Sequence, residues 1–328
     1  MIDQPYHDKD LSQLPPPEVL AALNYDVLLN ERKQTLNGLH PLVFVDGQPV
    51  LKQATLIQTD TESYWKIPFD QEAGLYYLDL PSDPATRLVE ADAYRELLLH
   101  HRVNQVAKDL LIAYATGANL DHLAANYGVS RLVISPATST TKAVLESDAA
   151  LRKRTLLAIE NYARGGSMGW YLFNTLSASG LVKDAAVISP NPCEIVISVL
   201  SQEGDGTATP ELLATVEAYL HSRYTRVLGD LVTVQSAEVL HYSLAADVVY
   251  YPGPSSASVK IAIETAWLKY RSQSERIGHG VHRSAIDAAL HQPGVYRATI
   301  QSPAELPLAV GAMQAPYCDS FVLTEAKV

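Results

Sequence analysis

The stretch "ATRLVEADAYRELLLHHRVNQVAKDLLIAYA", residues 85–115, carries the longest helical pattern in this chain. A helix of this extent is about 45 Å long, more than one compact domain of this size normally buries. Five of its apolar residues follow one another at intervals of 4, 3, 4 and 3, which is the spacing of an a/d seam between packed helices. They are Leu99, Val103, Val106, Leu110 and Ala113. We therefore expect this seam to contact helices of other chains, with an internal bundle against residues 17–40 as the alternative.

The residues on either side of this stretch predict a helical arm, a β-rich insert and a short helix. "PEVLAALNYDVLLNERKQTLNGL" predicts a helix from Pro17 that is interrupted near Asn24. Short apolar runs follow it, and Asp46-Gly47 between two of them is a hairpin signal. Gly117 is the predicted stop of the long helix, and a short helix from Leu120 is expected to end at Gly128.

Past Pro136, helical and strand patterns alternate. "EIVISVLS", "PELLATVEAYLHSRY" and "LVTVQSAEV" predict strand, helix and strand, and "YSLAADVVYY", "SSASVKIAIETAWLKYRSQ" and "VYRATIQS" predict a second such round. Ser147 and Thr209 precede helical patterns as N-caps. The predicted fold class is α+β, with an N-terminal long-helix bundle region and its β-rich insert followed by C-terminal mixed α+β domains built from β-α-β units. The predicted regions are 1–41, 42–84, 85–135, 136–240 and 241–328.

Composition excludes several classes of function. The formal net charge is −11 and no run of basic residues interrupts this acidity, so we expect neither a nucleic-acid partner nor an anionic-membrane surface. The chain has 2 cysteines without CxxC spacing, which fits a reducing cytoplasm. Its acidic, proline-rich start does not resemble a signal peptide.

"GGSMG", residues 165–169, matches the G-x-S-x-G pattern of serine hydrolases. A nucleophile elbow needs a strand before the serine and a helix after it, but a helical pattern precedes Ser167 here. We interpret the stretch as a joint between two helices, with Gly165 and Gly166 as a hinge and Ser167 as the N-cap of the next helix. A hydrolase that uses Ser167, and a small-molecule-binding protein, remain the alternatives.

Other candidate chemistry is weak. His279 and His282 resemble a pair of metal ligands, but no third ligand stands at a suitable spacing. Adjacent His100 and His101 diverge by roughly 100° on a helix and cannot both face one ion. No glycine-rich nucleotide motif occurs, and "EGDGT" lacks the spacing of a calcium loop. We expect no catalytic residues, no metal and no cofactor.

Several segments in order resemble one family, the baseplate J-like proteins of contractile-tailed bacteriophages and phage-tail-like bacteriocins. The segments that carry the resemblance are "LSQLPPPEVLAALNYDVLLNERKQTL", "DAYRELLLHHRVNQVAKDLLIAYATGANLDHLAANYGVSRL", "ESDAALRKR", "GWYLFNTLSASGLVKDA", "VLSQEGDGT", "YYPGP", "RSAIDAALHQPGV" and "MQAPYC". None of them is a catalytic motif. Residues 42–84 depart from the pattern of the family.

The resemblance implies a structural role in the baseplate wedge. Two such chains are expected to join one partner wedge protein through their N-terminal helices, and their C-terminal domains to pair between neighbouring wedges in a six-fold ring. A sheath-initiating protein with a lysozyme-like fold is expected to dock nearby. The chain would be made in the cytoplasm of the host bacterium and would then reside in the baseplate of a phage or bacteriocin particle.

Overall fold

The computed structural model describes residues 11, 14, 15, 17, 24–38, 42–45, 48–51, 55–58, 63–66, 74–75 and 84–326, apart from residues 164, 224, 253 and 254. The chain divides into two compact units. One is Gln13–Ala115, and Thr116–Val328 belongs to the other. Both helices and sheets are present, which confirms the α+β fold class.

Two helices dominate the described part of the first unit: α1 (Tyr25–Gly38) and α2 (Pro84–Asp109). α1 starts directly after Asn24, whose side-chain Oδ1 accepts hydrogen bonds from the backbone N–H groups of Asp26 (3.0 Å) and Val27 (3.3 Å). This is an N-cap, and it explains why the helical pattern changes at this residue. The predicted helical residues 18–23 lie outside the described residues.

Short strands occupy the segment between these helices: β1 (Leu42–Val45), β2 (Gln48–Leu51), β3 (Thr55–Gln58), β4 (Ser63–Lys66) and β5 (Gly74–Leu75). β1 and β2 pair antiparallel, and β3, β4 and β5 form a three-stranded antiparallel sheet. The strands predicted in this segment are therefore confirmed. The predicted turn residues Asp46 and Gly47 lie outside the described residues.

α2 is shorter at its C-terminal end than the sequence pattern predicts. It stops at Asp109, where a carboxylate faces the negative end of the helix dipole. The backbone then tightens, because the N–H of Leu111 bonds the carbonyl of Lys108 at 3.0 Å instead of the carbonyl four residues back. The prediction that Gly117 ends this helix is wrong: Gly117 has φ +54° and is the first residue of the next helix.

The second unit contains six further α-helices and eight further strands among its described residues. In chain order they are α3 (Gly117–Ala125), β6 (Val133–Ser135), β7 (Val144–Leu145), α4 (Asp148–Leu157) with a 3-10 helix (Ala158–Tyr162), α5 (Met168–Ala178), β8 (Val182–Ile188), β9 (Glu194–Ser201), α6 (Pro210–Leu220), β10 (Leu231–Ser236), β11 (Glu238–Tyr250), α7 (Ser256–Ser274), α8 (Arg283–Leu290), β12 (Val295–Ser302) and β13 (Gln314–Glu325). α3 ends as predicted, with Gly128 at φ +71° and the N–H of Val129 bonded to the carbonyl of Ala124.

The first sheet of this unit has the strand order β10-β9-β8. β9 runs antiparallel to β8 and parallel to β10, and α6 connects β9 to β10. α6 begins at the predicted cap, because Thr209 accepts a hydrogen bond from the N–H of Leu212 at 3.3 Å. α5 packs against β8, and α6 packs against β10. The sequence pattern had not predicted β8.

The second sheet has the strand order β12-β11-β13, with β11 antiparallel to β12 and parallel to β13. From Tyr242 to Val248, every second residue of β11 is buried in a core shared with α7 and α8, as expected for a strand with one face on a core. The core residues on these elements are Tyr242, Leu244, Ala246 and Val248 of β11, Val259, Ile263 and Trp267 of α7, and Ile286 and Leu290 of α8. β13, like β8, had not been predicted.

The two sheets of the second unit are joined by polar as well as apolar contacts. Asp184 of β8 accepts a hydrogen bond from the N–H of Ile277 at 3.1 Å, and Lys183 pairs with Glu275 at 3.2 Å. Leu200, Ala237, Ile277 and Ala315 form a small shared core. These contacts hold the sheets in one arrangement, since the carboxylates of Asp184 and Glu275 are buried and need these partners.

Candidate partner interface

One side of α2 packs against α1. Arg32 of α1 donates from Nε to Oε2 of Glu96 on α2 at 2.7 Å, and this hydrogen bond lowers the pKa of the Glu96 carboxyl. The residues of α2 that are buried recur at helical spacing and therefore lie on one face. They are mostly small or polar: Thr86, Val89, Ala93 and Asn104.

The larger apolar residues of α2 lie on another side of the helix and are exposed. Their exposed fractions are 64% for Leu99, 59% for Val103, 50% for Val106 and 70% for Leu110. At 3.6 residues per turn, the centre of this row lies about 110° around the helix from the centre of the buried face. We call these four residues the α2 seam. α2 thus has one face that packs on α1 and an apolar seam that the described residues leave exposed.

The C-terminal end of the predicted seam differs from the expectation. Leu110 follows the last helical residue, and its N–H still bonds the carbonyl of Val106 at 3.2 Å, so it continues the helical row. Ala113 lies in the turn after the helix and is half-buried. The a/d spacing does not extend to Ala113, because the backbone leaves helical geometry before it.

The glycine stretch after the 3-10 helix has the predicted local geometry. Gly165 and Gly166 have φ of +97° and +91°, a region that side chains with a Cβ rarely adopt. Ser167 is the N-cap of α5, and its Oγ accepts a hydrogen bond from the N–H of Trp170 at 3.1 Å. The positive φ angles and the cap are therefore confirmed. The role of the two glycines as a hinge stays a prediction.

The setting of Ser167 differs from a nucleophile elbow. A 3-10 helix precedes the glycines, and a strand would be required there to hold the serine strained above a sheet. The Oγ atom is instead engaged with the first turn of α5. α5 itself is tightly held, since Tyr171 donates to Oδ2 of Asp230 at 2.6 Å and a Cβ on Gly169 would lie 2.6 Å from the side chain of Glu160.

A buried ion pair that sequence reasoning missed stabilises the start of the second unit. Arg154 of α4 donates to both carboxylate oxygens of Glu146, at 2.8 and 2.6 Å, and also to the carbonyl of Ser130 at 2.6 Å. Both side chains of the pair are about 95% buried, with exposed fractions of 5% and 4%. The only signal in the sequence was opposite charge at a separation of eight residues, which does not distinguish a buried pair from a surface one.

A second arginine extends this polar network. Arg131 donates to Asp121 at 2.8 Å, to Asp148 at 2.7 Å and to the carbonyl of Glu146 at 2.6 Å. The pKa of the Asp148 carboxyl is lowered, first by the hydrogen bond from the N–H of Gly117 and then by Arg131. The network therefore connects α3, the β6–β7 hairpin and α4. It contributes to the stability and specificity of the fold, and a small cavity of about 30 Å³ lies beside Glu146 and Arg154.

His279 and His282 have ordinary structural surroundings. His279 Nδ1 lies 3.3 Å from the carbonyl of Ile277, and His282 is the residue before α8. No three histidine, cysteine or acidic side chains of the described residues come together in a way that would hold a metal ion. None of the helices described is both long and apolar enough to cross a membrane.

Comparison with known proteins adds to these observations. The family model of the baseplate J-like N-terminal domain matches residues 81–138, which include α2, α3 and β6. Baseplate protein J of Escherichia phage P2 is 37% identical to this chain over 316 residues, which cover 95% of this chain and 96% of that protein. With a similarity that extends over nearly the full length of both proteins, the chain belongs to the baseplate J-like family.

Proposed function

We propose that this chain is a structural wedge subunit of the baseplate of a contractile tail, and that it joins its partners through the α2 seam. The observation that carries the proposal is the exposure of Leu99, Val103, Val106 and Leu110 in one row. Full burial of a Val or Leu side chain contributes about 1.5–3 kcal/mol. Four such residues in a helical row are therefore a strong surface for another helix. The similarity to a phage baseplate protein supports the same role.

In this proposal the α1–α2 pair is part of a larger helix bundle between subunits. The partners are a second copy of this chain and a different wedge protein, with a sheath-initiating baseplate protein docked nearby. α1 already packs on α2, whose small and polar face is buried, so the bundle grows by adding helices on the seam side. The alternative of a purely internal bundle explains the α1-facing side and leaves the seam without a partner among the described residues.

The C-terminal domains have a different task in this proposal. β9-α6-β10 is a parallel β-α-β unit, whereas the second predicted unit is wrong, because β11 runs antiparallel to β12 and is parallel to β13 instead. In the proposal, the domains that contain these two sheets close a six-fold ring between neighbouring wedges. The arrangement of these domains changes when the tail contracts, and Gly165 and Gly166 form a hinge between the helices on either side of them. Bistable interfaces that repack are the usual basis of such a transition. The subunit assembles in the host cytoplasm and then stays in the baseplate.

Val106→Asp tests the role of the seam. An unpaired carboxylate in an apolar contact costs several kcal/mol, so the variant should fail to co-purify with co-expressed baseplate proteins of its own particle. It should remain folded, because Val106 is exposed in the free chain. Co-purification and negative-stain images of the particles are the measurements.

Tyr94→Asp is the matched control for this experiment. Tyr94 is also an exposed residue of α2, and it lies about 150° around the helix from the seam. This variant should assemble like the wild type. Normal assembly of Val106→Asp, or equal loss of assembly in both variants, would contradict the proposed role of the seam.

A further inference from the structure

We propose that the helix that covers the α2 seam carries acidic side chains along one edge, opposite Arg95 and Arg102. This inference rests on the proposed function, and it specifies the chemistry of the partner. The partner is accordingly an amphipathic helix with an apolar row for the seam and carboxylates beside that row.

The two arginines are placed as flanking residues of the seam. Arg95 and Arg102 are seven residues apart, so they lie two turns apart on nearly the same line of α2. That line is about 50–70° from the centre of the seam, at the position where flanking charges of packed helices meet. Both side chains are exposed.

Neither arginine has an acidic partner in the described part of the chain. Arg32, by contrast, is paired with Glu96 at 2.7 Å, and Glu96 lies at the opposite edge of the seam, about 50° from its centre. The formal net charge of the whole chain is −11, so two free cations beside an apolar row stand out from their surroundings. Charge complementarity sets the choice and orientation of a partner more than it sets raw affinity.

A second copy of α2 does not supply the required carboxylates. In a parallel pair, the residue that faces Arg102 is Ala107 of the other copy, and the residue that faces Arg95 is His100. In an antiparallel pair, Asp109 meets Arg102, and Arg95 remains without an acidic neighbour because α2 ends at Asp109. The seam therefore fits a different helix better than it fits its own copy.

Two synthetic helical peptides provide the test. Both have about 28 residues, or four heptads, with leucine at a and d, and they differ in having glutamate or lysine at e and g. Each is labelled and titrated with the full-length chain, and binding is followed by fluorescence anisotropy at about 0.1 M salt. We expect the glutamate peptide to bind at least about tenfold more tightly, and added salt to reduce the difference. The net charge of the chain alone would favour the lysine peptide, so the expected preference is specific to this edge.

Charge reversal checks the residues involved. Arg95→Glu combined with Arg102→Glu should invert the preference between the two peptides. Arg87→Glu is the matched control, because Arg87 is an exposed arginine of the same helix that lies about 130° from the centre of the seam. It should leave the preference unchanged.

The failure of this inference differs from a failure of the proposed function. In one outcome, Val106→Asp abolishes binding of both peptides, but the wild type binds them equally or prefers the lysine peptide. The seam is then a docking surface, and the inference of an acidic partner is wrong. If Val106→Asp binds peptides and assembles normally, the seam itself is wrong. A third outcome concerns a second copy of the chain. If the free chain forms a dimer, Arg102→Glu dissociates it and the added substitution Asp109→Arg restores it, the partner of the seam is an antiparallel second copy and not an acidic helix.

Discussion

α2 and α7, with 26 and 19 residues, are the two longest helices of the described chain, and they differ in whether their large apolar residues supply a buried core. α7 places Ile263, which is fully buried, and Trp267, which is 2% exposed, in the core of its own unit, while Ile261 and Leu268 of the same helix are exposed. α2 buries Ala93 and Asn104 and leaves Val106 and its neighbours in solvent. α7 thus contributes a buried apolar face to a core within its own unit, whereas the apolar row of α2 is exposed among the described residues.

In the proposed function, one chain combines a stable domain with a surface for assembly. Burial of α7 against β11 stabilises the second unit without a partner. Leaving the α2 seam exposed costs little in the free chain. Its burial under another helix is favourable, because apolar surface is then removed from water. The net charge of −11 keeps such a subunit soluble before assembly.

Trp267→Ala has the largest expected effect. Trp267 stacks on Phe321 at a centroid distance of 5.1 Å inside the core of the second sheet, so its removal leaves a cavity that destabilises the fold by about 3–5 kcal/mol. Val106→Ala in α2 should change the free energy of unfolding by less than about 0.5 kcal/mol. Urea unfolding of the full chain measures both. Similar losses in the two variants would break the contrast between the two helices.

Gly166→Val is the next largest change. A Cβ at Gly166 meets no atom within 4 Å, so the cost comes from placing a β-branched residue at φ +91°, about 1–3 kcal/mol. Ala163→Val is the control, because Ala163 lies in the same joint at φ −77° and should tolerate the change. A loss of stability in Gly166→Val alone would show that the positive φ at Gly166 requires glycine. Equal losses in the two variants would contradict this requirement.

Ser167→Ala should have a smaller effect of about 1 kcal/mol, since one N-cap hydrogen bond to α5 is lost. Assembly of the particle should be unaffected. Ser255→Ala is a matched control in α7, where Ser255 occupies the N-cap position without a side-chain hydrogen bond and should be nearly neutral. Loss of function in a normally folded Ser167→Ala protein would favour the catalytic alternative over the cap.

The smallest expected effect depends on pH. The hydrogen bond with Asp319 at 2.8 Å is the main cause that raises the pKa of His241, and Asp205 contributes. Because the folded value is raised, this contribution is fully present below the ordinary value of 6.5 and is lost as pH rises through the folded value. The difference in Tm between the wild type and His241→Gln should therefore be greater at pH 5.5 than at pH 8.5, and salt should reduce it. A difference that grows with pH would contradict the assignment.

Local signals in the sequence determined much of this protein. The positions of α6, α7, α8, β9 and β12 follow from apolar periodicity. The caps at Ser147, Ser167 and Thr209 follow from residue type at a helix start. The positive φ of Gly165 and Gly166 follows from glycine in a joint. These features depend on neighbours within a few residues, and so the sequence alone specifies them.

Only the tertiary structure decided what depends on distant neighbours. β8 and β13 lack a clear alternating pattern, and they become strands because β9 and β11 offer them hydrogen-bonding edges. The pairing of Glu146 with Arg154 requires the fold that removes both from water. The a/d spacing located the α2 seam. The sequence did not show that this seam stays exposed while α1 packs on α2, because that depends on the tertiary structure. Spacing defines a row of side chains, whereas burial depends on what the rest of the chain places against that row.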